Sequence, residues 1–292
     1  MDIFKDFYSI GELSNNSGIS ENSLRIWERR YGKPIPERLA SGHRRYPKEQ
    51  FIWLLKVSEA LSLGFKTSKV IKAADEELER MLLSSHSNII PEQFAKIILH
   101  LKEYDENFIK ETLELEYNQR GVINFCDEYL SPLLSEVGRL WATNELSIRH
   151  EHFITCIIEK FITSLKPKLI DNPAKVNKVL ICCLEGESHS LGILMAELVC
   201  KHLGSQIVYL GISTPDEEII ALTMTKQFDV VAISVPLSSA NIQTEKRIKA
   251  LRLSIPKKTQ MIIGSKGERS NRMTTSGIKY VKDFKSFVEI LI

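Results

Sequence analysis

The chain has 292 residues, 43% of them hydrophobic and 26% charged, with 39 Lys/Arg against 37 Asp/Glu for a formal net charge of +2. The length points to about two domains, the composition excludes extended disorder, and the charge balance excludes a uniformly basic coat while allowing one basic domain. Five scattered cysteines (Cys126, Cys156, Cys182, Cys183, Cys200) exclude a disulfide scaffold and a C-x-x-C zinc site, so buried reduced thiols are expected.

Taken in chain order, residues 8–46 come first, with short helical patterns over 10–17 and after Ser20, separated by a turn at Gly18. Ser20 is a good N-cap. Ile19, Leu24 and Trp27 form an apolar face, which leaves Asn22, Ser23, Arg25, Arg29 and Arg30 outside. Eight Lys/Arg stand against four Glu over residues 20–50. Two short helices about a glycine turn, in a locally basic segment, predict a helix-turn-helix reading double-stranded DNA. The alternative from pattern alone is a solvated basic helix pair.

Residues 93–167 carry helical patterns over 94–102, 106–120, 122–141 and 147–165, which predict a four-helix bundle, with Pro132 kinking or breaking the third helix. Asn144 can end one helix and Ser147 can cap the next. From that cap, Ile148, Glu151 and His152 share one helical face near Trp141. Spacing alone also fits a bundle core with a hydrogen-bonded histidine.

Residues 174–292 alternate short β-branched runs with amphipathic helices. Strands are expected at 179–184, 207–210, 230–235, 261–263 and 279–281. Helices are expected at 191–203, from a Thr214-Pro215 start to 227, at 241–253 and at 284–291. This alternation predicts a doubly wound parallel sheet of flavodoxin-like type. Ligands of such sheets bind beyond the carboxyl ends of the strands. The loop there reads Glu185-Gly186-Glu187-Ser188-His189-Ser190-Leu191-Gly192. It is not G-x-G-x-x-G, and its carboxylates oppose a pyrophosphate. It offers one imidazole, a carboxylate two residues before it to fix the tautomer, and Gly192 to let a bulky ligand approach the backbone.

The expected division is therefore a DNA-binding domain over 1–75, a linker over 76–92, a bundle over 93–173 and an α/β domain over 174–292. The boundaries rest on the polar stretch 84–91 and on Asp171-Asn172-Pro173. No apolar run approaches the ~20 residues of a bilayer span. The opening Met1-Asp2-Ile3-Phe4-Lys5-Asp6 also lacks the order of a secretory signal, so a soluble cytoplasmic protein is expected.

Tyr8-Ser9-Ile10-Gly11-Glu12-Leu13, Leu24-Arg25-Ile26-Trp27-Glu28-Arg29-Arg30-Tyr31 and Gly42-His43-Arg44-Arg45-Tyr46 together resemble the DNA-binding domain of MerR-type regulators. The resemblance implies that Asn22, Ser23 and Arg25 meet the major groove. It also implies that the wing, with His43, Arg44, Arg45 and Tyr46, grips phosphates and the adjacent minor groove. Val137-Gly138-x-x-Trp141, Glu145-x-Ser147-Ile148 and Glu151-His152 look like the helical cap of cobalamin-binding domains, and the loop is similar to their D/E-x-H-x-x-G motif.

This order of domains resembles the light-sensing cobalamin-dependent repressors of carotenoid genes. That implies adenosylcobalamin between bundle and α/β domain, gluing the two and favouring a dimer or tetramer on a promoter. His189 would be the lower cobalt ligand, oriented by Glu187. Trp141, Ile148, Glu151 and His152 would pack around the adenosyl group. Gly192, Ser234 and Gly264 would line the remainder of the site.

Two departures stand out. Ala142 occupies the place of the upper-ligand histidine, so no bis-His adduct can form there, although His150 is nearby. Ser265 replaces the second of two paired glycines. The alternative readings are a regulator that holds haem or another tetrapyrrole through His189, and one that acts by protein contact without a cofactor. A third is a corrinoid-carrying subunit of an enzyme. With no acid–base pair or nucleophile triad in view, a non-enzyme is expected.

Overall fold

A computed structural model describes residues 6–17, 19–38, 44–62, 65–85, 90–168, 177–236, 242–265 and 276–292. It resolves the chain into two units, one of residues 1–89 with 237–246 and the other built from 90–236 and 247–292. The expected turn at Gly18, His43 of the wing and the 171–173 boundary lie outside the described residues.

In the first unit, strand β1 (Phe7–Tyr8) leads into helix α1 (Ile10–Ser17). A capping box starts that helix: the Ser9 N–H donates to Glu12 Oε2 at 2.7 Å and the Glu12 N–H to Ser9 Oγ at 3.2 Å. Helix α2 (Glu21–Tyr31) is capped by Ser20, whose Oγ accepts from the Ser23 N–H at 3.2 Å. Strands β2 (Glu37–Arg38) and β3 (Arg44–Pro47) pair antiparallel as the wing, and β3 pairs with β1 on its other side. Helices α3 (Lys48–Ser62), α4 (Thr67–Lys72) and α5 (Asp75–Ser85) follow. Leu13, Leu24, Trp27, Tyr46, Leu54 and Val57 form the core.

Helix α5 corrects the linker expected over 76–92. Its acidic first turn (Asp75, Glu76, Glu77) suits a helix N-terminus. Leu78, Met81 and Leu82, at helical spacing, are buried in the same core.

The second unit opens with helices α6 (Glu92–Lys102) and α7 (Glu106–Asn124), a π turn (Phe125–Leu130), and helices α8 (Ser131–Ala142) and α9 (Ile148–Leu165). Gly121, at φ 71° and ψ 175°, interrupts α7 in a conformation that favours glycine. Pro132 falls in the first turn of α8, where its missing N–H costs least.

The sheet follows as β4 (Lys178–Leu184), α10 (Leu191–His202), β5 (Gln206–Thr214), α11 (Asp216–Thr225), β6 (Val230–Ser234), α12 (Ile242–Ser254), β7 (Gln260–Gly264), β8 (Ile278–Val281) and α13 (Phe284–Leu291). All the strand pairs are parallel, in the order β5-β4-β6-β7-β8. Strand β4 is an interior strand, between β5 and β6, and is buried from Val179 to Leu184, as its unbroken apolar run requires.

Two details differ from expectation. Strand β5 runs on to Thr214, which pairs with Leu184, so α11 starts after Pro215 without a side-chain cap. Cys156 is exposed on α9, while the other four cysteines are buried; all five are free thiols.

One apolar core joins bundle and sheet. Leu133, Ile154, Ile158 and Ile162 belong to the same cluster as Ile181, Cys183, Ile193 and Leu198. The two layers thus share apolar side chains from both sides. Among the described residues no helix is long and apolar enough to cross a membrane.

Candidate functional site

Beyond the end of β4 the chain turns, and Glu187 folds back under His189. Its side chain is 5% exposed, whereas that of His189 is 64% exposed. Glu187 Oε1 accepts the His189 backbone N–H at 2.9 Å and lies 2.5 Å from Nδ1. With Nδ1 engaged by the carboxylate, the imidazole presents Nε2 outward. The hydrogen bond from His189 to the Glu187 carboxylate raises the pKa of His189 against the opposing effect of burial, and the charges of Glu187 and then Glu151 add to the rise.

Gly192 opens α10, and a Cβ there would come within 2.5 Å of Ser234 Oγ. This close approach is between helix and strand and by itself favours a glycine at 192. Gly264 ends β7 beside Ser234, with only ordinary contact for an added Cβ. The Ser265 N–H donates to the Val281 carbonyl at 2.9 Å.

In the helical layer, Trp141 and Ala142 are half-buried at the end of α8, and Ile148 and Glu151 are half-buried at the start of α9. Glu151 pairs with the exposed His152 through Nδ1 at 2.7 Å and accepts the Thr155 hydroxyl at 3.0 Å. His150 faces elsewhere. Its Nδ1 accepts from the Ser147 N–H at 3.1 Å, and its ring lies 5.0 Å from that of Tyr104. Burial first, then the charges of Arg149 and Lys102, lowers its pKa, which matches an acceptor nitrogen.

Among the described residues no three His, Cys, Asp or Glu side chains converge as a metal cage. One imidazole, pinned by a buried acid and open at its second nitrogen, instead fits an axial bond to a metal that brings its own equatorial ligands. The donor set fits a corrin.

On the first unit, Asn22, Arg25, Arg29 and Arg30 are exposed along α2, and Ser23 is half-buried with its hydroxyl 2.9 Å from that of Ser20. Arg25 pairs with Glu21 at 3.2 Å. Arg44 Nε donates to Glu28 at 2.9 Å, and Arg45 is half-buried. Tyr46 is wholly buried and its hydroxyl donates to Glu28 at 3.1 Å. Burial, aided by Glu28, pushes its pKa up to about 12. Its ring therefore belongs to the core rather than to the wing surface where a phosphate contact was expected.

Residues 8–77 match the MerR HTH family regulatory protein, and residues 93–166 match the B12 binding domain. This is a MerR-type transcriptional regulator with a B12-binding domain. The regulator is homologous to the HTH-type transcriptional repressor CarH of Myxococcus xanthus, with 24% identity over 91% of each chain. It is also homologous to the repressor CarA of the same organism, with 27% identity over 96% of this chain and 95% of that one. The second unit shares its fold with the monomethylamine corrinoid protein of Methanosarcina barkeri. There the TM-score is 0.55 and the identity 16%, over 68% of this chain and 97% of that one.

The regulator also uses residues that sequence reasoning passed over. The Ser190 hydroxyl donates to Glu159 of α9, and Arg247 of α12 donates to the Glu185 carbonyl at 2.8 Å and to Asp216 at 2.7 Å. Glu151, Thr155 and Glu159 recur every four residues, a helical stripe that was visible in the sequence. Nothing in the sequence marks Arg247.

Proposed function

We propose that the regulator is a cytoplasmic repressor that binds promoter DNA as a dimer or tetramer, under control of adenosylcobalamin held between helical layer and sheet. The observation that carries this reading is the Glu187–His189 pair, a pre-aimed Nε2 on the sheet side facing a layer that carries Glu151. His189 is the lower ligand, and Glu187 holds its tautomer. Trp141, Ile148, Glu151 and His152 contact the upper face, and Gly192, Ser234 and Gly264 border the remainder. The bound corrin supplies the cobalt and its equatorial nitrogens.

Arg25, with Asn22 and Ser23, reads bases in the major groove, while Arg29, Arg30, Arg44, Arg45 and His43 meet phosphates. Ala142 carries no donor atom, so a light-driven exchange to a histidine at that position cannot occur, and photosensing by that route is not expected. The chain acts through DNA occupancy and not as a catalyst; its relatives CarH and CarA are named as repressors. Functionally it divides into a DNA head, a helical cap and an α/β domain, and because cap and α/β domain share a core, ligand control works on the surface they present jointly. Paired heads then gain avidity on two half-sites.

Size-exclusion chromatography with adenosylcobalamin, in the dark and after illumination, tests this reading. A coloured, cobalt-bearing peak whose elution shifts with cofactor, equally in dark and light, is expected. A colourless protein with unchanged elution in every run overturns it.

A further inference from the structure

The loop that carries His189 is held at both ends by side chains that reach it from other elements. At its start, Arg247 Nη1 grips the Glu185 carbonyl at 2.8 Å while Nε of the same guanidinium rests on Asp216 at 2.7 Å. At its end, the hydroxyl of Ser190, adjacent to His189, donates to Glu159 on α9. Inside the loop, the Ser213 N–H donates to the Glu187 carbonyl at 3.0 Å, and the Gly186 N–H donates to Ser213 Oγ at 3.1 Å.

Ser190 is the N-cap residue of α10, a position where serine normally accepts a helix N–H, yet it makes no side-chain cap bond. Its hydroxyl is turned to Glu159 instead. The contact thus displaces a local interaction that serine favours, and it ties the residue beside the imidazole to the helical layer. Glu151, whose charge acts on His189, lies two turns earlier on α9. A shift of α9 against the sheet therefore has to move the histidine-bearing backbone.

We propose that Glu159 and Arg247 are positioning residues for His189, clamping its loop from the helical layer and from the sheet layer, and that Glu159 is the route by which ligation at His189 is felt by the cap. This rests on the cofactor reading above. The full chain, labelled with 15N-histidine, is titrated with hydroxocobalamin and then reduced to the Co(II) state. Affinity is read by absorbance, and axial histidine by the nitrogen splitting of the electron paramagnetic resonance signal.

Glu159→Ala and Arg247→Ala should each weaken binding about 10-fold, the lower end for residues that orient a metal ligand. Each should also lower the fraction of bound corrin that shows the histidine splitting. Glu159→Gln should recover most of both, because its amide oxygen still accepts from Ser190. If Glu159→Ala fails to fold, Ser190→Ala removes the same contact and should give the same losses. A wild-type chain that binds the corrin beside variants that match it overturns the clamp alone, as does weakened binding with the histidine splitting intact. A wild-type chain that takes up no hydroxocobalamin overturns the clamp and the cofactor reading together.

Discussion

Glu28 in the DNA head and Glu187 in the α/β loop use one device for two purposes. Each is the more buried partner of a pair and holds a more exposed donor outward: Glu28 is 19% exposed against 42% for Arg44, and Glu187 is 5% exposed against 64% for His189. The head holds a guanidinium that stays charged at any physiological pH, as a polyanion requires. The loop holds an imidazole whose proton can leave, as a metal bond requires. Solvent around Arg44 lets phosphates compete with Glu28 and lets salt screen the pair. The depth of Glu187 keeps its hold on the imidazole largely out of reach of salt.

The cofactor end should show the largest effects. His189→Ala removes the axial ligand, and hydroxocobalamin affinity should fall by at least about 100-fold, beyond the range typical of residues that only orient a ligand. Glu187→Ala should cost about 10- to 100-fold on the same scale, and Glu187→Gln less, because its amide oxygen still accepts from Nδ1–H.

The raised pKa of His189 has two consequences of opposite sign. Its folded-state pKa lies above the unfolded value, so the stability it contributes is fully present below the unfolded pKa and is lost as pH rises through the folded one. Cobalt needs the deprotonated ring, so affinity should fall as pH drops through the same raised value, starting above the ordinary histidine range of about 6.5. Titrations between about pH 5 and 8, alongside urea midpoints of the cofactor-free chain, check both. A Glu187→Gln chain with the wild-type profile would break the comparison.

Effects in the head should be smaller and sensitive to salt. Arg25→Ala should cost about 1–3 kcal/mol and relax preference at one base position. Arg44→Ala should weaken specific and random duplexes alike and reduce the slope of log affinity against log salt by about one. Fluorescence anisotropy at several salt concentrations separates the two. An Arg44→Ala chain with an unchanged salt slope would show that Glu28 already withholds that guanidinium from phosphate.

Local chemistry was legible in the sequence and contacts across the chain were not. The apolar run of β4, the helix-strand alternation and the Ser20 cap follow from nearest neighbours, and so did the sheet type. The acidic opening of α5 reads as a solvated linker until Leu78, Met81 and Leu82 are counted at helical spacing. Tyr46 reads as a wing contact through the resemblance of 42–46 to the MerR-type wing, but it is buried in one core with Leu24 and Trp27 of α2. The approach of Gly192 to Ser234 joins positions 42 residues apart along the chain. Glu159 and Arg247 stand 31 and 62 residues from their loop partners, and no local pattern encodes such pairs.

Asp127 carries the smallest expected effect and extends the comparison to a third acid. It sits in the π turn, half-buried, and accepts the Phe284 and Lys285 N–H groups of α13 at 2.7 and 2.8 Å. Those are among the N–H groups a helix start leaves without intrahelical partners, while Asp283 caps the same start from within the chain through the Ser286 N–H at 2.7 Å. The neighbouring Glu128 pairs with Lys285 at 2.6 Å, so the π turn aims two consecutive acids at one helix end. Burial pushes the Asp127 pKa up while the two N–H groups oppose it, so its value here lies in acceptor geometry more than in charge. Asp127→Asn keeps one acceptor oxygen but sets an amide NH2 against the other N–H, so it should lose part of the interaction, whereas Asp127→Ala loses both acceptors and should cost about 1 kcal/mol, as for a lost helix cap. Urea midpoints at constant m-value measure both. Equal losses in the two variants would mean that one acceptor oxygen alone contributes nothing and both must be in place.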